Sequence, residues 1–137
     1  MKPDRMISSL KKLFVPALRE RGFEGSFPHF RRIGKSQIDL VTVQFDRHGG
    51  GFVIEISKCA PEGIVTPWGA QIPPNRVRAW DLHPNDRRRL GSPRQGKDGY
   101  WFRFDNGTPP DVVAKSATLF LSEADLWWEL VTRLPDQ

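Results

Sequence analysis

Two runs of strand-forming residues, separated by a glycine-rich connection, constrain this chain more than any other feature of its sequence. Ile38 to Phe45 is rich in β-branched residues, and Phe52 to Cys59 alternates apolar with polar side chains. The connection from Asp46 to Gly51 ends in three glycines, which adopt positive φ without steric cost. The pattern predicts an antiparallel hairpin, with Ile54 and Ile56 buried against an N-terminal helix.

The first strand of this hairpin has an irregular apolar pattern. Its apolar residues fall at even positions up to Leu40 and at odd positions from Val41 onward, so the alternation shifts by one residue. Because side chains alternate between the two faces of a strand, the change indicates either a bulge or burial on both faces. Further strands are predicted at Phe27 to Ile33 and at Tyr100 to Phe104.

The chain begins with helical periodicity. From Asp4 to Arg21 apolar residues recur at helical spacing, with Asp4 suited to the N-cap and Gly22 to the C-terminal stop. Pro16 removes one helical hydrogen bond and crowds the preceding turn. We therefore expect an amphipathic helix with a kink or break near Lys12 to Val15.

Residues 60 to 99 contain too many prolines for a helix or a central strand. A structureless loop of this length is uncommon inside a compact domain. Short strands or turns, packed down by Trp68 and Trp80, are therefore expected there.

Two helices are predicted near the C-terminus. The first follows Pro109 and carries Val113, Ala117 and Phe120, and Ser122 is suited to cap the second. The apolar stripe of the second helix consists of Leu126, Trp127, Leu130 and Leu134. Trp128 leaves that stripe, which leaves two alternatives: an exposed indole at an interface, or a second set of packing contacts, the commoner of the two in proteins.

These elements predict one α+β domain spanning residues 1–137. Its expected architecture is an antiparallel sheet of about four or five strands, with the N-terminal helix and the C-terminal helices packed on one face. The 137 residues, 38% hydrophobic and 27% charged, lie within the range of a single globular domain.

Cysteine content and hydropathy constrain the compartment. A single cysteine, Cys59, excludes an internal disulfide and a four-cysteine zinc site. The longest apolar run near the N-terminus, Leu13 to Leu18, is too short for a signal or membrane-spanning segment. We expect a cytoplasmic protein that does not enter a membrane.

Basic charge is concentrated in one part of the sequence. The stretch from Arg76 to Arg103 holds eight basic and three acidic residues, and so accounts for the whole formal charge of +5. Arginines interleaved with an indole can anchor an acidic protein surface, and they can also neutralise phosphates while the indole stacks on a base. The binding candidates are Arg76, Arg78, Trp80, His83, Arg87, Arg88, Arg89 and Trp128.

Three functions follow from these residues. The leading prediction is a non-enzymatic protein-interaction or immunity-type role, with an acidic protein surface as the partner. The alternative is a nucleic-acid-binding module that uses Arg76 to Arg103. The third is an enzyme built around Asp39, Glu55 and Cys59. The oligomeric state does not follow from the sequence.

The consecutive arginines Arg87, Arg88 and Arg89 are predicted to lie on the surface. Three adjacent guanidinium groups need at least as many buried partners before all can be buried. Replacing all three with glutamate is therefore expected to weaken binding while changing stability little.

The enzyme signatures are incomplete. A metal-dependent nuclease would need Glu55 and Lys58 on one strand face with Asp39, but their spacing of three places them on opposite faces unless a bulge intervenes. Glycines 49–51 lack the Lys-Ser/Thr ending of a phosphate loop, and the three histidines show no zinc-ligand spacing. No cofactor, metal or catalytic residue is therefore predicted.

Several short motifs together resemble a known family. The principal motifs are Arg21-Gly22-Phe23, Phe30-Arg31-Arg32, and Ile38-Asp39-Leu40 through Gly49-Gly50-Gly51-Phe52. Weaker similarity extends through Trp80-Asp81-Leu82, Arg89-Leu90-Gly91 and the C-terminal helices. The chain thus resembles the bacterial family named domain of unknown function 4304. This resemblance implies an α+β fold and brings no activity, cofactor or catalytic residue.

Overall fold

The computed structural model of the protein describes residues 3–91 and 101–130. Within these ranges the chain forms three α-helices, two short 3-10 helices and eight strands. In chain order they are α1 (Asp4–Glu20), β1 (Glu24–Ser26), β2 (His29–Ile33), β3 (Ile38–Phe45), β4 (Gly51–Cys59), β5 (Ile64–Val65), β6 (Gln71–Ile72), the 3-10 helices Ala79–Asp81 and Pro84–Asp86, β7 (Arg87–Arg89), β8 (Phe102–Arg103), α2 (Pro110–Leu119) and α3 (Leu121–Glu129).

The main sheet is antiparallel and has six strands. Its order is β1-β2-β3-β4-β7, and β8 also pairs with β4. The predicted β3–β4 hairpin is confirmed, with pairing that continues without interruption from Ile38–Cys59 to Phe45–Phe52. The parity change in β3 therefore reflects burial on both faces rather than a bulge, because its first six residues are all buried.

The smaller strands differ from the sequence prediction. β2 begins at His29 rather than Phe27, and the preceding residues Glu24–Ser26 form an additional strand, β1. The predicted strand from Tyr100 to Phe104 is observed at Phe102–Arg103, while Tyr100 lies outside the described residues.

One face of the sheet packs on the helices. Met6, Leu10 and Phe14 of α1 join Ile54 and Ile56 of β4 in one core cluster, and all five side chains are fully buried. Burial of Ile54 and Ile56 against the N-terminal helix is confirmed.

Helix α1 continues through Pro16, so of the predicted kink or break near Lys12 to Val15 the break is wrong. Pro16 lies on the exposed side of the helix, where water can hydrate the carbonyl that loses its hydrogen bond. The N-cap is Pro3, and the predicted cap Asp4 is instead the first helical residue. At this position its negative charge interacts favourably with the positive end of the helix dipole.

The opposite face of the sheet is covered by residues 60–86. Val77, Ala79 and Leu82 are buried there in a second, smaller cluster with residues of β3 and β4. The expectation that Trp68 holds this segment down is wrong, since it is 80% exposed, whereas Trp80 is 38% exposed and contacts His29 of β2 as expected. The short apolar side chains and Trp80 approach the sheet, while the indole of Trp68 lies on the outer side.

Helix α2 has the predicted buried residues Val113 and Ala117. The face of helix α3 that packs on the core is not the one predicted from the sequence. Trp128 is only 2% exposed, whereas Leu126 and Leu130 are 68% and 56% exposed. The predicted stripe residue Leu134 lies outside the described residues.

This face of α3 is buried because it continues the buried face of α2. Leu121, Ala124 and Trp128 follow Ala117 at intervals of three or four residues, so Trp128 belongs to the core face. Ser122 is not the N-cap, which is Phe120. The Ser122 hydroxyl instead donates to the Leu119 carbonyl at 3.1 Å.

Candidate functional site

The structure divides the predicted arginine-rich surface into two parts. Arg87, Arg88 and Arg89 form β7, which pairs with β4 so that Arg89 lies opposite Glu55. The Glu55 carboxylate lies 3.3 Å from Arg87 and 3.7 Å from Arg89. Only 8% of the Glu55 side chain is exposed, so this carboxylate is buried between two guanidinium groups.

Arg88 lies on the other face of β7. Its Nε is 3.4 Å from Oε2 of Glu123 in α3, and both atoms are buried without hydrogen-bond geometry. Arg87 additionally donates from Nε to the Leu82 carbonyl at 2.8 Å. The prediction of three surface arginines is therefore wrong, because 21–30% of each side chain is exposed and each has a carboxylate partner. The compensating carboxylates come from distant parts of the sequence.

The other part of the basic stretch lies at a groove. Arg76 and Arg78 line it together with Arg31 of β2, and the volume of this open groove is about 440 Å³. We call these three residues and their surroundings the arginine groove. Its remaining lining residues are Gln71, Ile72, Pro73, Asn75 and Asp81.

Arg31 is a site residue that sequence reasoning missed. Its Nε and Nη2 donate to the Val77 carbonyl at 3.2 and 3.0 Å, so the guanidinium is fixed against the covering segment. The available signal was strand parity: buried Phe30 faces the helices, so Arg31 points to the opposite face.

The charge of the arginine groove is positive. Asp81 is the one carboxylate among its described lining residues, and it accepts from the backbone N–H of Arg78 at 2.8 Å. The Arg78 guanidinium lies 3.4 Å from the same carboxylate. Arg76 is exposed and has no ion pair within residues 3–91 and 101–130.

Aromatic rings lie beside the groove. The Trp80 ring contacts the His29 ring at a centroid distance of 4.4 Å, and the Arg78 guanidinium lies 5.2 Å from its centroid. Burial, and then the positive charge of Arg78, lower the pKa of His29 below its usual 6.5, so the imidazole is neutral at neutral pH. The positive charge here therefore comes from the arginines.

Trp68 lies at the tip of the β5–β6 hairpin. Two bonds hold the hairpin turn closed, since the Thr66 N–H donates to the Ala70 carbonyl at 2.8 Å and the Ala70 N–H donates to the Thr66 hydroxyl at 2.9 Å. The exposed indole is thus presented by an ordered turn, and β6 of the same hairpin lines the arginine groove.

Two predicted site residues lie elsewhere. His83 is exposed, and its Nδ1 accepts from the Asn85 N–H at 3.1 Å, which caps a 3-10 helix. Trp128 is buried on the helix-covered face, where its ring lies 5.0 Å from that of Phe23 and Nε1 donates to the Ser57 carbonyl. Of the two alternatives for Trp128 the structure confirms packing, so its inclusion in an exposed binding surface is wrong. Arg76, Arg78 and Trp80 are the predicted residues that the structure brings together.

The proposed enzymatic residues are separated by the sheet. Asp39 lies on the helix-covered face with Lys58, whereas Glu55 and Cys59 lie on the opposite face. Within the described parts of the chain, no three His, Cys, Asp or Glu residues are arranged to hold a metal ion. Glu55 is engaged with its two arginines, so this geometry does not assemble a nuclease site.

Asp39 belongs to a buried polar cluster at the end of α3. Its carboxylate accepts from Arg32 at 2.8 Å and from Gln37, and it lies opposite Lys58 in the hairpin. The Lys58 ammonium donates to the carbonyls of Trp127 and Leu130 at 2.9 and 3.0 Å. The cluster therefore joins the hairpin to the C-terminal end of α3.

This cluster predicts that the difference in stability between the unsubstituted protein and an Asp39→Asn variant depends on pH. Burial raises the pKa of Asp39 above its usual 3.8, and this effect exceeds the opposite effect of the Arg32 and Gln37 hydrogen bonds. An acid with a raised folded-state pKa loses stabilisation as pH rises from below 3.8 through the folded-state value. Asp39→Asn cannot ionise, so its free energy of unfolding should improve relative to that of the unsubstituted protein across that window.

Urea unfolding of both proteins at a series of pH values measures this difference. A difference that stays constant, or that moves in favour of the unsubstituted protein as pH rises, would contradict the raised pKa.

The chain matches the model of a known family. A family model described as domain of unknown function (DUF4304) matches residues 14–129, a span from α1 to the end of α3. No curated protein and no solved structure matches the chain. None of the helices in the described ranges combines the length and apolar content that a bilayer-spanning segment requires.

Proposed function

Because this chain belongs to the DUF4304 family, whose description assigns no activity, we propose a function from its surface: the protein binds an acidic segment of another protein in the arginine groove. The observation that carries this proposal is the convergence of Arg31, Arg76 and Arg78 on one groove whose one described carboxylate, Asp81, is already hydrogen-bonded to Arg78. A carboxylate from a partner supplies the missing negative charge.

The arginines provide suitable recognition chemistry. A guanidinium presents several donors in a planar fork and binds a carboxylate in a bidentate manner. Arg31 is fixed by the Val77 carbonyl, so less conformational entropy is lost when it binds a ligand. Arg76 keeps its donors exposed at the same groove.

The neighbouring indoles add apolar contact area. Tryptophan and arginine are enriched among the residues that dominate binding energy at protein interfaces. Trp80 lies against His29 beside the groove, and Trp68 projects from the β5–β6 hairpin that forms part of its wall. An acidic segment with apolar side chains fits this combination.

The distribution of charge favours a protein partner over a nucleic acid. Phosphate binding draws on many cations placed along the path of the backbone. Arg87, Arg88 and Arg89, which would extend such a path, are paired with Glu55 and Glu123. The remaining concentration of charge is local and suits a short acidic segment.

The proposal predicts that Arg76→Glu/Arg78→Glu loses affinity for an acidic peptide by about tenfold or more, because like charges then meet in the groove. A fluorescent peptide of alternating glutamate and leucine is a suitable probe, with anisotropy as the readout. A single-stranded oligonucleotide of equal formal charge is titrated in parallel at several salt concentrations.

Lys35→Glu/Arg47→Glu is the matched control, since both side chains are exposed outside the groove and the change in net charge is the same. We expect this control to retain peptide affinity apart from a small long-range effect. Tighter, steeply salt-dependent binding of the oligonucleotide would instead favour the nucleic-acid alternative. Equal affinity losses in both variants would show that the groove is not the binding site.

A further inference from the structure

A stripe of exposed apolar residues runs along the C-terminal helices. Its exposed fractions are 52% for Val112, 77% for Leu119, 68% for Leu126 and 56% for Leu130. Val112 and Leu119 lie on α2, Leu126 lies on α3, and Leu130 is the C-cap residue directly after α3; at 100° per residue the four positions fall within about 40° of one another. We call these residues the leucine stripe.

The leucine stripe lies opposite the face that packs on the core. The buried residues of α2 and α3 follow one helical phase through both helices, and the stripe is rotated from them by about half a turn. These buried residues are Val113, Ala114, Ala117, Leu121, Ala124 and Trp128. The two helices together are therefore apolar on two opposite sides, of which the core covers one.

The junction between α2 and α3 preserves this phase. Phe120 has φ −74° and ψ −6°, close to helical geometry. Its N–H donates to the Ala117 carbonyl at 3.1 Å, and its carbonyl accepts from Ala124 at 3.2 Å. The first of these bonds spans three residues rather than four, so the helix is interrupted at Phe120, and the stripe is the outer side of two successive helices whose buried residues keep one phase.

A row of polar residues runs beside the stripe, with a positive charge at one end and a negative charge at the other. Lys115, Ser122 and Glu129 are spaced seven residues apart, and all three are exposed. Fourteen residues of helix separate Lys115 from Glu129 by about 21 Å, too far for an ion pair within one chain. Neither residue has an ion-pair partner elsewhere in the described ranges 3–91 and 101–130.

A second copy of the chain can pair with both the leucine stripe and the polar row. When two such helices pack antiparallel about a two-fold axis near Ser122, Lys115 of each copy meets Glu129 of the other. The same operation brings Leu119 against Leu126 to within one residue of helical rise, and Val112 against Leu130 to within two residues, or about 3 Å. An isologous contact of this kind repeats every pair twice.

We infer that the leucine stripe is the interface of a symmetric homodimer in which α2 and α3 pack antiparallel against the same helices of a second copy. The arginine groove lies on the opposite face of the sheet, so the dimer leaves both grooves open. The dimer therefore presents two equivalent grooves facing away from the interface.

Sedimentation velocity tests the dimer. The protein should show twice its chain mass of 15.7 kDa at micromolar concentration. Leu119→Glu should raise the dissociation constant by about 30-fold or more, since a charge then replaces a central interface side chain. Val65→Glu is the matched control, because Val65 is 64% exposed on β5, away from the stripe.

Charge exchange tests the antiparallel arrangement. Lys115→Glu and Glu129→Lys should each weaken the dimer, because each places like charges together twice. The double variant Lys115→Glu/Glu129→Lys restores both pairs and should recover the dimer. Circular dichroism checks that these surface variants remain folded.

Three results would overturn the inference. They are a monomeric protein at every concentration, a Leu119→Glu variant that dimerises as well as the Val65→Glu control, and a double charge variant no better than the single variants. The last result would exclude this antiparallel pairing even if another dimer formed.

Discussion

Replacing Arg87, Arg88 and Arg89 together with glutamate is expected to unfold the protein. The change places three carboxylates beside Glu55 and Glu123, which are now paired with those arginines at 3.3–3.7 Å. Removing one partner of a buried ion pair typically costs about 3–5 kcal/mol, and partial exposure of these arginines reduces that cost for each pair. The summed loss is still several kcal/mol, a large part of the roughly 5–15 kcal/mol that stabilises a typical domain.

Urea unfolding followed by circular dichroism measures this effect. Lys35→Glu/Arg47→Glu/Arg76→Glu is the matched control, since it produces the same change in net charge at three exposed positions. The control should remain folded. If the two triple variants have equal unfolding midpoints, the arginines of β7 do not stabilise the fold and net charge alone explains the effect.

The second large effect is expected from Trp128→Ala, which should lower the free energy of unfolding by about 3–5 kcal/mol. The indole is 2% exposed, packs 5.0 Å from the Phe23 ring, and donates its N–H to the Ser57 carbonyl at 3.1 Å. Its removal leaves a cavity between α3 and β4 and deletes the hydrogen bond to the Ser57 carbonyl. The Arg32 guanidinium, 5.3 Å from the indole centroid, also loses a cation–π contact.

Trp68→Ala provides the control for this prediction. Trp68 is 80% exposed, so its replacement should change the free energy of unfolding by no more than about 0.5 kcal/mol. Trp128→Phe keeps most of the packing and removes the N–H donor, and its cost should lie between those of the two alanine variants. Equal costs for Trp128→Ala and Trp68→Ala would show that Trp128 is not part of the core.

The hairpin could be predicted from the sequence because its determinants are local. β-branched runs, alternation and a glycine-rich connection lie within Ile38–Cys59 and act on neighbouring residues. The α+β class and the N-terminal helix follow from the same kind of short-range pattern, and both are observed.

The candidate site was only partly predictable. The basic stretch indicated Arg76 and Arg78, but Arg31 reaches the same groove from a strand 45 residues earlier in the chain. The pairing of Arg87 and Arg89 with Glu55 likewise depends on β7 joining β4, a contact across more than 30 residues. Neither relation leaves a periodic signal in the sequence.

The sequence by itself determined the elements whose hydrogen bonds and turns are local: α1, the β3–β4 hairpin and the two C-terminal helices. The tertiary structure decided which side of each element is covered, because burial depends on what packs against it. Trp128 is buried since α3 continues the core face of α2, and Trp68 is exposed since Val77, Ala79 and Leu82 reach the sheet instead. The same packing separates the arginines that stabilise the sheet from those left at the groove, because the neutralising carboxylates arrive only when distant segments fold together.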